Sequence, residues 1–218
     1  MQDLTDLLKN NPYPGRGIAI GSGRVYYFIM GRSANSRNRI FSTTRDGIRT
    51  EAHKPELVED PSLIIYHPVR TMGSSLVVTN GDQTDTIVEQ HDFVRGCLMR
   101  EYEPDAPNFT PRISSILNQD GSFALSILKR QGALFSEGAD NSCLREFFFS
   151  EGTEDGTGYF LSTYVGDGDP LPSFAGEPIP VRMGEPDDVW AALNEDNKIS
   201  LYCNVHGDVT IYNKHLGD

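Results

Sequence analysis

The chain has 218 residues, of which 38% are apolar and 10% aromatic, and its formal net charge is −12. This composition can supply a hydrophobic core, and the negative charge makes nucleic acids and anionic membrane surfaces unfavourable partners. No apolar run approaches the roughly 20 residues that a membrane-spanning helix needs, and the first residues lack the basic and apolar regions of a secretory signal.

The first half of the chain predicts a short helix followed by paired strands. The segment "LTDLLKN" has the pattern of an amphipathic helix, which "NPYPG" ends. Two strands, "RGIAIG" and "VYYFIM", are joined by the turn "SGR". A second pair of strands, "SLIIYHPVR" and "SLVVTN", is joined through "TMGS".

The second half predicts two helices among several strands. Apolar residues in "DTIVEQHDFVRGCLMREY" recur near the helical period, and "EPDDVWAALNED" begins with the proline and acids typical of a helix N-terminus. Strands are indicated by "SFALSILK", "REFFFS", "GYFLSTYV" and the hairpin "ISLYCNV" with "VTIYNK". Because the strands cluster instead of alternating with helices, and no linker divides the chain, we expect one α+β domain, residues 1–218, with largely antiparallel sheets.

The three cysteines indicate the redox environment. Cys97, Cys143 and Cys203 are far apart in the sequence and odd in number. This pattern predicts reduced thiols in a cytoplasmic protein and not a disulfide framework. No spacing of Cys and His is typical of zinc, so we expect no metal centre.

Positive charge is concentrated in one part of this acidic chain. Seven arginines and a single acid, Asp46, lie between Tyr13 and Thr50. Three of the arginines fall in "GRSANSRNR", where Ser and Asn side chains accompany the guanidinium groups. This mixture of donors suits the oxygens of a phosphate. The alternative is that the arginines pair with distant acids on a solvated surface, as most single arginines do.

Several segments together resemble the archaeal-type IMP cyclohydrolase family. They are "YFIMGRSANSRNR" (27–39), "DPSLIIYHPVR" (60–70), "VVTNGDQTDTI" (77–87) and "YEPDAPNFTPRISSIL" (102–117), and "YFLSTYVGDGDPLPSF" (159–174) is similar to the bacterial branch. The resemblance implies a four-layer αββα sandwich like that of the N-terminal-nucleophile hydrolases, without their chemistry. Residues 1–12 exceed the shorter start of the family, and we interpret them as an extra N-terminal leader.

The resemblance also implies an activity. Members of the family close the ring of 5-formamidoimidazole-4-carboxamide ribonucleotide to give IMP and water, the last step of purine biosynthesis. The reaction is intramolecular and proceeds by proton transfer, so it requires no metal and no organic cofactor. The expected partner is therefore a small purine ribonucleotide.

Two residues occupy positions that the resemblance marks as catalytic, Tyr66 and Glu103. We expect Tyr66 to transfer a proton and Glu103 to orient the carboxamide or take its proton. The alternatives are an ordinary strand tyrosine and a surface glutamate. His67 stands where relatives have a different polar residue, and it is a third candidate for proton transfer.

The resemblance and the polar loops together predict seven substrate-binding residues: Arg32, Arg37, Arg39, Asn80, Asp85, Asn108 and Arg112. We expect the arginines of "GRSANSRNR" to hold the 5′-phosphate. Asn80 and Asp85 are expected to position the base or ribose, although Asn80 could instead form a turn with Gly81 and Asp85 could cap the next helix. Arg112 could join the phosphate site or pair with Glu103.

Two other functions remain open on the sequence alone. One is an amide hydrolase that acts on a related nucleotide with the same fold, and the other is a nucleotide-binding regulatory protein without catalysis. Divergence from the family after residue 117 and the Gly/Pro-rich loop 166–180 keep the first alternative open. The sequence does not fix the oligomeric state, and a homo-oligomer is among the possibilities.

Overall fold

The computed structural model describes residues 1–58, 60–61, 64–131 and 142–217. Within this part of the chain the fold is α+β, with two mostly antiparallel sheets and few helices. The coarse prediction is therefore confirmed. No described helix combines the length and the apolar character needed to cross a membrane.

The described part contains fourteen strands and five α-helices. The strands are β1 (Gln2–Asp3), β2 (Arg16–Gly21), β3 (Arg24–Met30), β4 (Arg39–Thr43), β5 (Gly47–Ala52), β6 (Val69–Met72), β7 (Ser75–Thr79), β8 (Arg112–Leu117), β9 (Phe123–Arg130), β10 (Cys143–Ser150), β11 (Thr157–Ser162), β12 (Ile179–Arg182), β13 (Lys198–Val205) and β14 (Asp208–Asn213). The helices are α1 (Leu4–Lys9), α2 (Ala34–Arg37), α3 (Gln83–Gln90), α4 (Phe93–Leu98) and α5 (Pro186–Ala192).

The two sheets are assembled in different ways. The first sheet has the order β1-β12-β11-β2-β3-β13-β14 and is built from both ends of the chain, with one parallel pair, β1 and β12. The second has the order β10-β9-β8-β7-β6-β5-β4, so each strand pairs with its neighbour in sequence. Helices α3 and α4 are inserted between β7 and β8 of this meander.

Strand β3 shows why the first sheet is buried on both faces. Successive side chains of a strand point to opposite faces. Tyr26 and Phe28 pack with helices α1 and α5 in one apolar cluster, whereas Tyr27 and Ile29 pack in a second cluster with strands of the other sheet. A continuous apolar run such as "VYYFIM" is therefore required, instead of an alternating pattern.

A third cluster covers the other face of the second sheet. Ile87 of α3 and Phe93 of α4 pack there with Val77 of β7 and Ile116 of β8. Each sheet thus has an apolar face toward the other sheet and an apolar face toward helices.

The long helix predicted over "DTIVEQHDFVRGCLMREY" is two helices. His91 adopts φ 52°, which ends α3, and the Asp92 side chain accepts a hydrogen bond of 2.8 Å from the backbone N–H of Arg95 at the start of α4. A Cβ added to Gly96 would lie 2.5 Å from the backbone of Ile87, so this glycine permits the close packing of α4 on α3.

The strand predicted over "SLIIYHPVR" is also shorter than expected. It begins at Val69, and its first two residues lie outside the described part of the chain. The backbone N–H of Tyr66 donates to the Thr50 hydroxyl at 2.8 Å, and the Tyr66 carbonyl accepts from the Thr50 N–H at 2.9 Å. Pro68 cannot donate to a ladder, so regular pairing starts only after it.

Helix α1, within residues 1–12, belongs to the packed core. Leu4 and Leu8 are buried, and both pack in the cluster that covers the first sheet, beside α5. The predicted helix is confirmed, and it lies on the first sheet.

The three cysteines, Cys97, Cys143 and Cys203, are free.

We predict that Leu8→Ala lowers the free energy of unfolding by about 2–5 kcal/mol, because the change removes a fully buried side chain and leaves a cavity. Leu57→Ala is the matched control, since the Leu57 side chain is 58% exposed. Urea denaturation followed by circular dichroism measures both. Equal costs for the two variants would show that the leader does not stabilise the fold.

Candidate functional site

A cavity of about 300 Å³ lies where segments of several quoted motifs meet. Its lining includes Gly15 and Arg16 at the start of β2, the loop 32–36 after β3, parts of the loop 103–110 after α4, and Tyr164 after β11. Arg32 and Ser33 are exposed, whereas Arg16 and Glu103 are nearly buried. The cavity therefore has an open end and an inner end. The open end lies at residues 31–39, "GRSANSRNR", which we call the arginine loop, and the inner end lies at the charges of Arg16 and Glu103.

A buried ion pair forms the inner end. Arg16 Nη2 lies 3.1 Å from Glu103 Oε2, and the two side chains are only 11% and 4% exposed. The backbone N–H of Glu103 donates to the Thr110 carbonyl at 2.9 Å, which closes the loop that carries the carboxylate. The ion pair joins the first sheet to the loop that precedes β8 of the second.

Both members of the pair have a raised pKa, but for different reasons. Burial raises the pKa of Glu103, and the guanidinium groups of Arg16 and Arg112 only partly oppose this shift. Burial by itself would lower the pKa of Arg16, but Glu103 and the nearby hydroxyls of Tyr66 and Tyr164 raise it well above its usual value. Arg16 therefore stays charged, and Glu103 exchanges its proton at a higher pH than an exposed glutamate.

Asn80 holds the other oxygen of Glu103 in place. Asn80 Nδ2 lies 3.4 Å from Glu103 Oε1 and donates to the Pro111 carbonyl at 2.9 Å. Its Oδ1 accepts from the Ile113 N–H at 2.8 Å and from Gln83 Nε2 at 2.9 Å. The side chain is fully buried, so the structure places Asn80 in the support of Glu103 and not in a hairpin turn.

Tyr66 is paired with a second tyrosine. Its hydroxyl lies 2.8 Å from the hydroxyl of Tyr27, and both rings are buried. Burial raises the pKa of Tyr27 well above its usual value, and the neighbouring Tyr66 adds to this shift. Among the described residues, Ile64 lines the cavity and Tyr66 does not, so Tyr66 is placed next to Tyr27 and the Arg16 guanidinium but not at the cavity wall.

The arginine loop contributes two of its three guanidinium groups to the cavity lining. Arg32 donates to the Gly168 carbonyl at 3.1 Å and pairs with Asp167, and its guanidinium lies 5.0 Å from the centre of the Tyr13 ring. Arg39 is buried and donates to the carbonyls of Ser36 and Met30, at 2.7 and 3.2 Å.

Two serines complete this part of the lining. Ser33 accepts from the Ser36 N–H at 3.1 Å, and the Ser36 hydroxyl accepts from the Ser33 N–H at 3.1 Å. This reciprocal arrangement is a capping box, and it fixes the short helix α2.

The Arg37 side chain bonds to Gly31 and Asn197 and is not part of the cavity lining. Its Nε donates to the Gly31 carbonyl at 3.0 Å, and Nη2 donates to Asn197 at 3.3 Å. Its side chain thus ties the loop to the segment before β13, and it does not line the cavity.

Of two further predicted binding residues, Asn108 lines the cavity and Asp85 does not. Asn108 lines the cavity and accepts a hydrogen bond of 3.1 Å from the Leu171 N–H. Asp85 does not line it: its carboxylate accepts from Arg70 at 3.0 Å and lies 3.4 Å from His67 Nδ1. The cap position of α3 is Asp82, so Asp85 lies within the first turn and does not cap the helix.

Arg112 forms its hydrogen bonds with Asp82 and Gln83, and not with Glu103 or with the arginine loop. Its Nη1 donates to Asp82 and to Gln83, each at 2.7 Å. Burial lowers the pKa of Arg112 despite the charges of Glu103 and Asp82. Its guanidinium is nevertheless close enough to Glu103 to oppose the rise in that carboxyl's pKa.

Sequence reasoning missed several residues of the cavity region. Arg16 was counted among the clustered arginines but not assigned a role. Tyr27, Asp105, Thr110 and Tyr164 all lie inside quoted segments. The resemblance to the family therefore marked the segments that contain these residues. It did not single the residues out, because their contacts are with residues distant in sequence. Among the described residues, no group of three or more His, Cys, Asp and Glu side chains could hold a metal ion.

Comparison with known proteins identifies a family for this chain. A family model described as IMP cyclohydrolase-like protein matches residues 13–209. The IMP cyclohydrolase of Methanococcus aeolicus is 28% identical over 169 residues, which cover 70% of this chain and 74% of that protein. The IMP cyclohydrolase of Methanocella arvoryzae is 30% identical over 147 residues, 61% of this chain and 71% of that protein. This chain therefore belongs to the IMP cyclohydrolase-like protein family.

Proposed function

We propose that the chain is an IMP cyclohydrolase, which closes 5-formamidoimidazole-4-carboxamide ribonucleotide to IMP with loss of water. The observation that carries this proposal is the cavity itself, with a buried Arg16–Glu103 pair at its inner end and arginines with hydroxyl groups at its open end. The family and the names of its relatives support the same activity. The purified protein should convert the formylated ribonucleotide to IMP, followed by absorbance, and failure to form IMP would contradict the proposal.

The open end suits the 5′-phosphate. Arg32 and Ser33 are exposed there, and Arg39 and Ser36 line the same region. Arg39 uses part of its fork on two carbonyls, and a guanidinium has five N–H donors, so it retains donors for an anion. We assign to Arg37 the support of this loop, because its hydrogen bonds lead to Gly31 and Asn197.

The inner end suits the ring closure. The carboxamide nitrogen must lose a proton while it attacks the formyl carbon, and the resulting hydroxyl must gain a proton before it leaves as water. We assign the first transfer to Glu103, because its raised pKa brings a carboxylate base nearer to neutral pH. The formyl oxygen needs two protons to leave as water. Glu103 can pass on the proton that it took from the carboxamide nitrogen, and the former formamide N–H releases the second proton when the C–N double bond of the new ring forms, so the protons balance.

Arg16 and Tyr66 complete this assignment. The Arg16 guanidinium is charged and buried, so it can stabilise negative charge that develops on the formyl oxygen. The Tyr66 hydroxyl lies beside it, hydrogen-bonded to Tyr27, and we assign to it a proton relay toward the reacting oxygen. Tyr66 lies near the buried Arg16 guanidinium, whereas His67 contacts Asp85, and this difference favours Tyr66 over His67 for this role.

We also propose a finer description of the fold. The three apolar clusters support four layers in the order helices, sheet, sheet, helices, as in the N-terminal-nucleophile hydrolases. The chain would then be one domain over residues 1–218, with the leader 1–12 packed on its first sheet.

We predict that Arg32→Ala weakens the binding of IMP by about 1.5–3 kcal/mol, the usual value of a charge-assisted hydrogen bond. Arg37→Ala should have a smaller effect, since that side chain acts only on the loop. Arg182→Ala is the matched control, because Arg182 forms an exposed ion pair with Asp3 on another surface. Calorimetric titration measures all three, and an unchanged affinity of Arg32→Ala would exclude the phosphate assignment.

We predict that Tyr66→Phe lowers kcat by roughly 10²–10⁴-fold with little change in KM, as expected when a proton-transfer group is lost. Tyr212→Phe is the control, because it also removes a hydroxyl bonded to a neighbour, Asp187, but not one near the cavity. Steady-state kinetics decide the matter. A turnover of Tyr66→Phe equal to that of Tyr212→Phe would remove Tyr66 from the mechanism.

We predict that kcat/KM rises with pH through the pKa of Glu103, because a general base must be ionised to act. Burial raises this pKa, so the acid limb of the profile should lie above the pKa of about 4.3 of an exposed glutamate. In Glu103→Gln the limb should disappear together with most of the activity. A limb that persists in Glu103→Gln would assign the base to another residue.

A further inference from the structure

A hydrogen-bonded chain of three side chains lies in the cavity wall apart from the Arg16–Glu103 pair. The Asp105 carboxylate accepts from the backbone N–H of Thr110 at 2.7 Å and also from the Thr110 hydroxyl. The Thr110 oxygen is in turn hydrogen-bonded to the hydroxyl of Tyr164. All three residues line the cavity.

The carboxylate fixes the direction of every hydrogen bond in this chain. An ionised carboxylate only accepts, so the Thr110 hydroxyl must give its single proton to Asp105. The Thr110 oxygen can then only accept from its other neighbour, and the Tyr164 hydroxyl must donate to it. The Tyr164 hydroxyl proton is therefore donated to Thr110. The Tyr164 oxygen can only accept a hydrogen bond from a ligand.

The ring of Tyr164 is held firmly in this position. Gly15 lines the cavity with φ +75°, and a Cβ added to it would lie 2.5 Å from the Tyr164 ring and 2.4 Å from the Thr163 hydroxyl. Tyr13 also stacks on Tyr164, with ring centres 6.1 Å apart. The acceptor thus has a defined place in the wall.

Tyr164 also keeps its proton at neutral pH. Burial raises the pKa of this hydroxyl to about 12, against the opposing effects of the Arg16 guanidinium and the Thr110 hydrogen bond. A neutral hydroxyl that cannot donate to a ligand is a selective acceptor for N–H or O–H groups.

We propose that Tyr164 is a specificity residue that accepts a hydrogen bond from the substrate's carboxamide N–H, with Thr110 and Asp105 as the residues that orient it. This inference rests on the proposed function, which supplies the carboxamide. If the substrate carried a carboxylate in place of the carboxamide, its oxygen would face the Tyr164 oxygen. Neither atom could then donate a hydrogen bond to the other. The chain would therefore select the amide over the corresponding acid.

The test uses two inert ligands that differ only at this group, 5-aminoimidazole-4-carboxamide ribonucleotide and 5-aminoimidazole-4-carboxylate ribonucleotide. Neither carries the formyl group, so neither cyclises, and binding is measured by calorimetry without turnover. The wild-type protein should bind the amide more tightly. Tyr164→Phe should lower the ratio of the two affinities by about tenfold, since an unsatisfied buried acceptor is costly. The repulsion between the acid and Glu103 is the same in both proteins and cancels in this comparison.

Variants of the orienting residues separate this role from a packing role. Thr110→Val should lower the amide preference, whereas Thr110→Ser, which keeps the hydroxyl, should retain it. Asp105→Asn should also lower it, because an amide can donate to Thr110 and allow the chain to reverse. Tyr212→Phe is the control that should leave the ratio unchanged. Thermal unfolding confirms that each variant is folded, and the two Thr110 variants carry the test if Tyr164→Phe does not fold.

The outcomes distinguish this inference from the function on which it rests. An affinity ratio of Tyr164→Phe and of Thr110→Val equal to that of the wild type would overturn the inference, while IMP formation by the wild type would leave the proposed function standing. A wild-type protein that neither binds these ribonucleotides nor forms IMP would overturn both.

Discussion

The buried ion pair between Arg16 and Glu103 is the interaction on which the rest of the site depends. The guanidinium comes from the start of β2 in the first sheet, and the carboxylate comes from the loop that precedes β8 in the second. Removing two charges from water is costly unless their remaining donors and acceptors are satisfied. Asn80 contributes to this on the side of the carboxylate, because its Nδ2 lies 3.4 Å from Glu103 Oε1, and both members of the pair line the cavity. Removing one member would leave a buried charge, which typically destabilises a protein by about 3–5 kcal/mol.

One network supplies most of this support, from the segment between β7 and α3, the first residue of α3 and the first residue of β8. Asn80 contacts Glu103, Gln83 contacts Asn80, and Arg112 contacts Gln83 and Asp82. These contacts restrict the arrangement of the side chains, because a different arrangement would leave further buried polar groups without partners. Asn80 and Arg112, which the motifs suggest as ligands for the substrate, thus lie around the carboxylate of Glu103, and the carboxylate acts on the substrate in our proposal.

The local pattern of the sequence predicted many of the strands, but it missed β4, β5 and β8 and merged α3 with α4, and it predicted the site only in part. The runs "RGIAIG" and "VYYFIM" require burial on both faces, which fixes β2 and β3. By contrast, the partners of Arg16 and Tyr66 lie 87 and 39 residues away, at Glu103 and Tyr27, so no local pattern could reveal them. The direction of Arg37 was also beyond prediction, because it depends on the turn of a four-residue helix. The resemblance to a family marked the right segments, but tertiary contacts decide which side chains line the cavity.

A crystal structure of the protein with IMP would test this account most directly. We expect the phosphate at Arg32 and Arg39, and the six-membered ring of the base against Arg16 and Glu103. An IMP molecule with its phosphate on Arg16, or bound outside this cavity, would contradict the assignment of the two ends and the mechanism derived from it.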